Sequence, residues 1–194
     1  TAAIADAADA DSFPALVVAS DNPQGEPNSS EEHAAGAGAV AFVLESTPSG
    51  ATLVYRAEYV ADYPGTRFRE HGETDVQGLG ITSYERQAFR ECVTGAVSRL
   101  EIDAEPIAIA LQAPDGKLPG RAARSLEVDS EVVTVAGDRG DLSAASATTA
   151  LARALEHGHE SILTVGFGSG AGADALLFDG AAPVVSNADR ETEP

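Results

Sequence analysis

Ile162–Phe178 reads ILTVGFGSGAGADALLF, and this stretch decides the fold. Two short apolar runs, Ile162–Phe167 and Ala173–Phe178, flank the glycine-rich segment Gly168–Gly172. Short apolar runs bounded by glycines are typical of buried β-strands joined by a tight connection. Glycine accepts positive φ and places no Cβ between the backbone and its neighbours. The stretch therefore predicts a buried β-hairpin with a tight turn.

A second copy of this pattern occurs earlier in the chain. The tetrapeptide Gly-Ala-Gly-Ala stands at 36–39 and again at 170–173, and each copy lies between two apolar runs. Internal repeats decide an architecture, because each copy is one structural unit. We therefore expect a duplicated α/β fold. Residues 1–50 would form the end of an incomplete first half, and residues 51–194 would form the second half.

The rest of the sequence predicts the elements of these halves. Helical spacing of apolar residues indicates helices at Thr1–Ala10, Ser83–Leu100, about Gly120 to Leu126, and Ser146–His157. Buried strands are expected at Ala15–Ala19, Ala37–Leu44, Ile107–Leu111 and Val132–Ala136, with a half-solvated strand at Thr52–Tyr59. Ser83 should cap its helix, and Ala61–Gly80 should form a long loop.

These elements also predict a topology. The strands at 107–111, 132–136, 162–167 and 173–178 should be neighbours in one mixed sheet. The strand pair at 15–19 and 37–44 should superpose on the pair at 162–167 and 173–178 about a pseudo-twofold axis. A single continuous meander through both pairs would contradict the duplication.

Composition excludes several classes of function. The chain carries 31 acidic and 12 basic residues, a net charge of −19, which argues against nucleic acid or an anionic membrane as the main partner. Only Lys117 is a lysine, and this balance is typical of folded proteins adapted to molar salt. The apolar runs are too short to cross a bilayer, and no signal-peptide pattern opens the chain, so we expect a cytoplasmic protein. Because the sequence lacks methionine and begins within a helical pattern, we expect a fragment, a trimmed chain or a processed chain.

Four segments resemble a known family. They are Ala19–Gly25 (ASDNPQG), Gln112–Pro119 (QAPDGKLP), Gly137-Asp138, and Gly166–Gly172 (GFGSGAG). Through them the sequence resembles the thiolase superfamily, and more narrowly the archaeal type of hydroxymethylglutaryl-CoA (HMG-CoA) synthase. The resemblance covers residues 15 to 180 approximately. It implies a layered αβαβα fold with mixed five-stranded sheets, of which the first half is incomplete here.

The resemblance also implies an activity. That family is an acyltransferase of the mevalonate pathway, which condenses acetyl-CoA with acetoacetyl-CoA and takes the coenzyme A thioester as substrate, with no other cofactor. It uses a nucleophilic cysteine, a histidine and a carboxylate base. The alternative is a non-catalytic thiolase-fold subunit that serves assembly or acyl-CoA binding. In both cases acyl-CoA and another thiolase-fold chain, in a homo- or hetero-oligomer, are the expected partners.

Three departures from the family pattern concern the catalytic residues. The position of the family's cysteine lies before residue 1, so the nucleophile is expected outside this chain. Gln112 stands at the family's histidine position, and glutamine takes up no proton near pH 7. Asp138 stands at the family's asparagine position, where a carboxylate replaces an amide donor. The single cysteine, Cys92, lies on the inward face of a predicted helix and is expected to pack; being alone, it excludes an intrachain disulfide and a multi-cysteine metal site.

Other residues are candidates for binding. Lys117, Gly168, Ser169 and Gly170 match family segments expected to contact coenzyme A, although Lys117 is equally consistent with a solvated surface lysine. The four histidines divide into three groups. His157 and His159 lie at a helix end, where we expect them to interact with the helix dipole; metal binding is the alternative, and no metal site is expected. His33 is expected to be solvated, and His71, near Arg67 and Arg69, faces either a substrate or solvent.

Overall fold

The structure is a computed structural model that describes residues 1–10, 13–47, 50–100, 102, 106–111, 118–126, 128–168 and 170–185. Its helices are α1 (Ala2–Asp9), α2 (Ser30–Ala34), α3 (Thr82–Val97), α4 (Leu118–Ser125), α5 (Ala136–Arg139) and α6 (Ser146–Glu156), with a 3-10 turn at Ser143–Ala145. Its strands are β1 (Ala15–Asp21), β2 (Gly38–Leu44), β3 (Thr52–Tyr63), β4 (Ala108–Leu111), β5 (Glu131–Val133), β6 (Ser161–Gly168) and β7 (Gly170–Asp179). None of the helices within these described ranges is long and apolar enough to cross a membrane.

Five strands form one mixed sheet in the order β3-β7-β6-β4-β5. Strand β4 pairs in parallel with both β5 and β6, and β7 runs antiparallel to β6 and β3. The predicted neighbours are therefore confirmed, and β3 adds an edge strand with alternating half-burial. Parallel strands place their carboxyl ends at one edge of a sheet, and in open α/β folds this edge holds ligands.

Each face of this sheet is covered by helices. On one face, α3 packs over the strands through a core that includes Phe89, Cys92, Leu163, Val165 and Leu177. On the other face, α6 packs through Leu151 and Leu155, in a core that also contains Ile4 of α1. The same core includes Val17 and Phe42 of the β1–β2 pair. The described layers are thus helix, sheet, helix and sheet in succession.

The β1–β2 pair is a separate two-stranded antiparallel sheet. The residue pair next to the connecting segment is Asp21 opposite Gly38 in β1–β2. The corresponding pair in β6–β7 is Gly168 opposite Gly172. The second glycine of each Gly-Ala-Gly-Ala copy therefore occupies the same register position. The two hairpins lie in different sheets and do not form one continuous meander. Their superposition about a pseudo-twofold axis stays a prediction.

Several predicted boundaries were wrong. Strands β1 and β2 are not buried as expected: their outward faces are exposed, because nothing in the described chain covers them. Ser83 does not cap α3, which begins at Thr82 after Ile81 and has no side-chain cap. Residues 61–63 extend β3 by the same alternation instead of starting a loop. The strand expected at Val132–Ala136 ends at Val133, since α5 begins at Ala136.

Candidate functional site

The predicted glycine turn lies at the carboxyl end of β6. Gly168 pairs with Gly172, and Gly170 has φ +104, a conformation that L side chains rarely adopt. Apart from its chain neighbours, no described residue has an atom within 4 Å of a Cβ built on Gly170, so this glycine is required for its backbone conformation and not for space. Ser169 lies outside the described residues, as do Gln112 and Lys117.

One residue of the next loop holds this turn. Thr66 Oγ1 accepts a hydrogen bond from the backbone N–H of Gly170 at 3.4 Å. The following residue, Arg67, donates to the carboxylate of Asp141 and forms an ion pair with it. The consecutive pair Thr66-Arg67 therefore connects the glycine turn to the loop that follows α5.

Asp141 is the centre of this region. Its side chain is 0% exposed, and besides Arg67 its carboxylate accepts hydrogen bonds from Ser143 N at 2.8 Å and from Ser146 Oγ at 3.3 Å. Its backbone pairs with the segment before β2: Asp141 N donates to Ala34 O at 2.6 Å, and Gly36 N donates to Asp141 O at 2.9 Å. A buried carboxylate needs this many partners, because an unpaired buried charge is costly. Asp141 thus bonds directly to Gly36 of the first Gly-Ala-Gly-Ala copy. It is linked to Gly170 of the second copy through the consecutive residues Arg67 and Thr66.

Close packing beside Asp141 explains why the first position of the earlier Gly-Ala-Gly-Ala copy is a glycine. A Cβ on Gly36 would lie 1.9 Å from the carbonyl oxygen of Arg139. Gly36 has no positive φ, so it is required for space. The two copies of the tetrapeptide use their first glycine for different physical reasons.

The segment 66–77 also contacts the carboxyl end of β1. Arg69 lies 3.9 Å from the carboxylate of Asp21, and Val76 N donates to Gln24 O at 2.7 Å. Asp21 Oδ1 in turn accepts a hydrogen bond from Asn22 N at 2.8 Å. Residues 19–25, one of the segments that resemble the family, therefore lie beside residues 66–77. The sequence predicts only that these latter residues form part of a long loop.

Asp138 lies in α5, three residues before Asp141, and has a different environment. Its carboxylate makes two hydrogen bonds to Arg153 of α6, at 3.0 and 2.7 Å, while the side chain stays 57% exposed. The hydrogen bond from Arg153 lowers the pKa of Asp138 below its usual value. The observed role of this carboxylate is to join α5 to α6.

Cys92 is packed as the sequence predicted. It is buried in the core beneath α3, and burial, followed by the nearby charge of Glu91, raises the pKa of its thiol. A raised pKa disfavours the thiolate, which is the nucleophilic form. The chain has no other cysteine. It therefore contains no thiol suited to attack a thioester.

Sequence reasoning missed Asp141 and Arg67. They are 74 residues apart, and neither belongs to a short motif. The sequence carried only a weak signal for them. Asp141 stands between Gly140 and Leu142, and Arg67 lies in a predicted loop without periodicity. Of the histidines, His33 is exposed as predicted, with Nδ1 2.7 Å from Ser29 O, and His71 is exposed.

Curated proteins named HMG-CoA synthase are similar to this chain in sequence. The chain is 33% identical over 175 residues to the HMG-CoA synthase of Caldivirga maquilingensis, covering 84% of this chain and 49% of that protein. It is 31% identical over 172 residues to the HMG-CoA synthase of Methanopyrus kandleri, with the same shares covered. The chain thus spans about half the length of the curated relatives it matches. No protein-family model matches it.

Solved structures give the same result for the fold. MvaS in complex with 3-hydroxy-3-methylglutaryl coenzyme A superposes with a TM-score of 0.66 at 21% identity, over 87% of this chain and 52% of that one. The 3-oxoacyl-(acyl carrier protein) synthase III of Pseudomonas aeruginosa gives 0.67 at 17% identity, over 88% and 59%. The thiolase-like fold and the resemblance to archaeal HMG-CoA synthases are both confirmed.

Proposed function

We propose that this homologue of HMG-CoA synthases forms the second half of an acyltransferase that condenses acetyl-CoA with acetoacetyl-CoA. Its nucleophilic cysteine would come from a polypeptide segment outside these residues, which supplies the other half of the thiolase-like fold. The relatives named HMG-CoA synthase, about twice as long as the matched region, support this assignment.

The observation that carries the proposal is an exposed apolar sheet face. Register pairs Leu16 with Val43 on β1–β2 and Leu163 with Leu177 on β6–β7. Leu16 and Val43 are 67% and 66% exposed, whereas Leu163 and Leu177, at the matching positions, are 0% and 5% exposed beneath α3. Val18 and Val165 differ in the same way, at 59% and 1%.

The repeat therefore indicates what covers this face. The outer face of β6–β7 is covered by α3, whose buried stripe includes Phe89, Cys92 and Val93. By the same geometry, the outer face of β1–β2 would receive an amphipathic helix from the missing half, and strands of that half would pair with its free edges. A helix and strands of this kind are what the unmatched half of the relatives would provide.

Within this assembly the chain would contribute binding groups. The glycine turn after Gly168 would lie beside the thioester, where backbone N–H groups stabilise an oxygen as negative charge develops on it; the N–H of Gly170 itself is bonded to Thr66 Oγ1. Thr66 and Arg67 would keep this turn in position through Gly170 and Asp141. Gln112 and Asp138 at the catalytic positions, and Lys117 and Ser169 at the coenzyme A positions, remain part of this proposal.

A second candidate function is a non-catalytic thiolase-fold subunit that binds acyl-CoA or serves assembly. One observation favours it: the Asp138 carboxylate is engaged by Arg153 and its pKa is lowered. The resemblance implies an amide donor at this position, and an ionised carboxylate engaged by Arg153 has no hydrogen to donate to a substrate oxygen.

Intact-mass spectrometry after incubation with acetyl-CoA tests these functions. The chain alone should gain no acetyl group, because its only thiol is buried. Co-purification with the unmatched half of the Methanopyrus relative should then give acetylation of that second polypeptide and release of coenzyme A on adding acetoacetyl-CoA. A stable complex that binds acetyl-CoA without condensation would indicate the non-catalytic subunit. A stoichiometric acetyl group on Cys92 would refute both proposals.

A further inference from the structure

The carboxyl end of α6 holds two histidines in a fixed backbone. His157 is the C-cap residue, and Gly158 follows it with φ +81. Gly158 N donates to Leu155 O at 3.0 Å, and His159 N donates to Ala154 O at 3.1 Å. These two bonds form a Schellman motif, the glycine-terminated ending of many helices. The motif fixes the backbone from which both imidazole rings extend.

A carboxylate from a neighbouring strand meets these rings. Glu131 is the first residue of β5 and pairs with Ala108 of β4. One potential ligand atom from each of Glu131, His157 and His159 lies within 4.8 Å of the other two. The ring centroids of His157 and His159 are 6.2 Å apart. Three side chains from two rigid elements therefore converge on one point.

The environment of His159 Nε2 distinguishes this cluster from an ordinary helix cap. This nitrogen is shielded from solvent and has no hydrogen-bond partner among the described residues. It lies 3.4 Å from Glu131 Oε2, close enough for an ion pair if the ring is protonated. Two ligands bound about 2.0–2.1 Å from a tetrahedral zinc ion would be separated by roughly 3.3 Å. The 3.4 Å distance between His159 Nε2 and Glu131 Oε2 thus suits two ligands of one ion.

We propose that Glu131, His157 and His159 bind one Zn²⁺ ion, with water as the fourth ligand. Neutral imidazole nitrogens and a carboxylate are ordinary zinc ligands, and three of them leave one position open. The negative end of the α6 dipole lies beside the cluster and favours a cation there. The ion would also satisfy the buried Nε2 of His159.

The position of the cluster indicates a structural role. Glu131 opens β5 and His159 precedes β6, so the ion would lie at the amino ends of these parallel strands. Gly168 lies at the opposite, carboxyl end of β6. The ion would therefore connect the three-residue edge strand β5 to the end of α6, at the edge of the sheet opposite the glycine turn. This inference does not depend on the proposed function.

Calorimetric titration of chelator-treated protein with ZnCl₂ tests the proposal. We expect one Zn²⁺ per chain and a higher melting temperature when zinc is bound. Glu131→Gln, which keeps the side-chain shape, and His159→Ala should each weaken binding by about tenfold or more. His33→Ala is the matched control, because this exposed histidine lies outside the cluster, and it should leave zinc affinity unchanged.

Two further measurements separate this site from diffuse binding to an acidic surface. A tenfold excess of Mg²⁺ over Zn²⁺ should not displace the zinc, because magnesium disfavours imidazole ligands. The ring proton resonances of His157 and His159 should shift on zinc binding, whereas those of His33 and His71 should not. Zinc binding that is undetectable, equal in the His159→Ala and wild-type proteins, or abolished by Mg²⁺ would overturn the proposal.

Discussion

The two hairpins of this protein share a register but differ in their surroundings. In β6–β7, the two strands meet at a tight glycine turn where Gly168 pairs with Gly172, and helices cover both faces of the pair. In β1–β2, residues 22–37 connect the strands, and the part of the chain that the structure describes covers only the face toward α6. The same strand pattern is therefore a core element in the β6–β7 hairpin and a half-exposed layer in the β1–β2 hairpin. The difference shows that burial of a strand depends on which neighbouring layers are present.

Truncation of matched leucines gives the largest expected difference between the hairpins. Leu163→Ala should lower the free energy of unfolding by about 3–4 kcal/mol, because it leaves a cavity in a fully packed core. Leu16→Ala, at the matching register position, should cost roughly 0.5 kcal/mol or less, since that side chain is already exposed. Urea denaturation monitored by circular dichroism measures both. Equal losses would mean that the β1–β2 face is covered in solution.

Asp141 should have the next largest effect, because it ties both turns together. Asp141→Ala leaves Arg67 without its buried partner and should cost about 2–3 kcal/mol, somewhat less than a fully buried pair since Arg67 is partly exposed. Asp138→Ala is the control: it removes an exposed pair with Arg153 and should cost under about 1 kcal/mol. The same denaturation assay applies. If Asp138→Ala proves the costlier change, Asp141 is not the centre of this region.

These cases show how far sequence reasoning extends. Apolar runs and glycines predicted both strand pairs and the membership of four strands in one mixed sheet, because short apolar runs bounded by glycines are a local signal of buried strands. The alternation that predicted Thr52–Tyr59 continues through Ala61 and Tyr63, so the longer β3 was also available from the sequence. The burial of β1 was predicted incorrectly, because an apolar strand has the same pattern whether or not a layer covers it.

The candidate site was less predictable than the fold. Its central pair, Arg67 and Asp141, joins a loop to the segment after α5. The periodicity of apolar residues along the chain does not predict a contact between two distant polar residues. The resemblance located Asp138 but not its pairing with Arg153. Among the remaining candidates, Gln112, Lys117 and Ser169 lie outside the described residues, so their roles remain predictions.

The first glycines of the two tetrapeptides should respond differently to alanine. Gly36→Ala places a Cβ against the Arg139 carbonyl and should cost about 2 kcal/mol, because backbone must move. Gly170→Ala meets open space and should cost about 1 kcal/mol, from positive φ alone. Melting temperatures of the two variants compare them. A smaller loss for Gly36→Ala than for Gly170→Ala would contradict the close packing beside Asp141.

A change in salt concentration should have the smallest effect on stability. It also distinguishes two causes of that effect, namely charge repulsion and association through the exposed β1–β2 face. With a net charge of −19, repulsion extends about 10 Å at 0.1 M salt and about 3 Å at 1 M. We therefore expect the fold to be more stable in ~2 M KCl than in ~0.1 M KCl by about 1 kcal/mol, or roughly 2–4 °C in melting temperature. An unchanged melting temperature would remove the interpretation of a salt-adapted protein.

The same screening should also favour contact through Leu16, Val18 and Val43, because salt weakens the repulsion that keeps two acidic chains apart. Sedimentation velocity at both salt concentrations would then show more association in ~2 M KCl. Val18→Lys, a polar change on the exposed face, should abolish that association while keeping the gain in melting temperature. Val54→Lys is the control, since Val54 is exposed on β3 outside this face. If Val18→Lys removed the gain in melting temperature as well, the salt effect would come from the apolar face and not from charge.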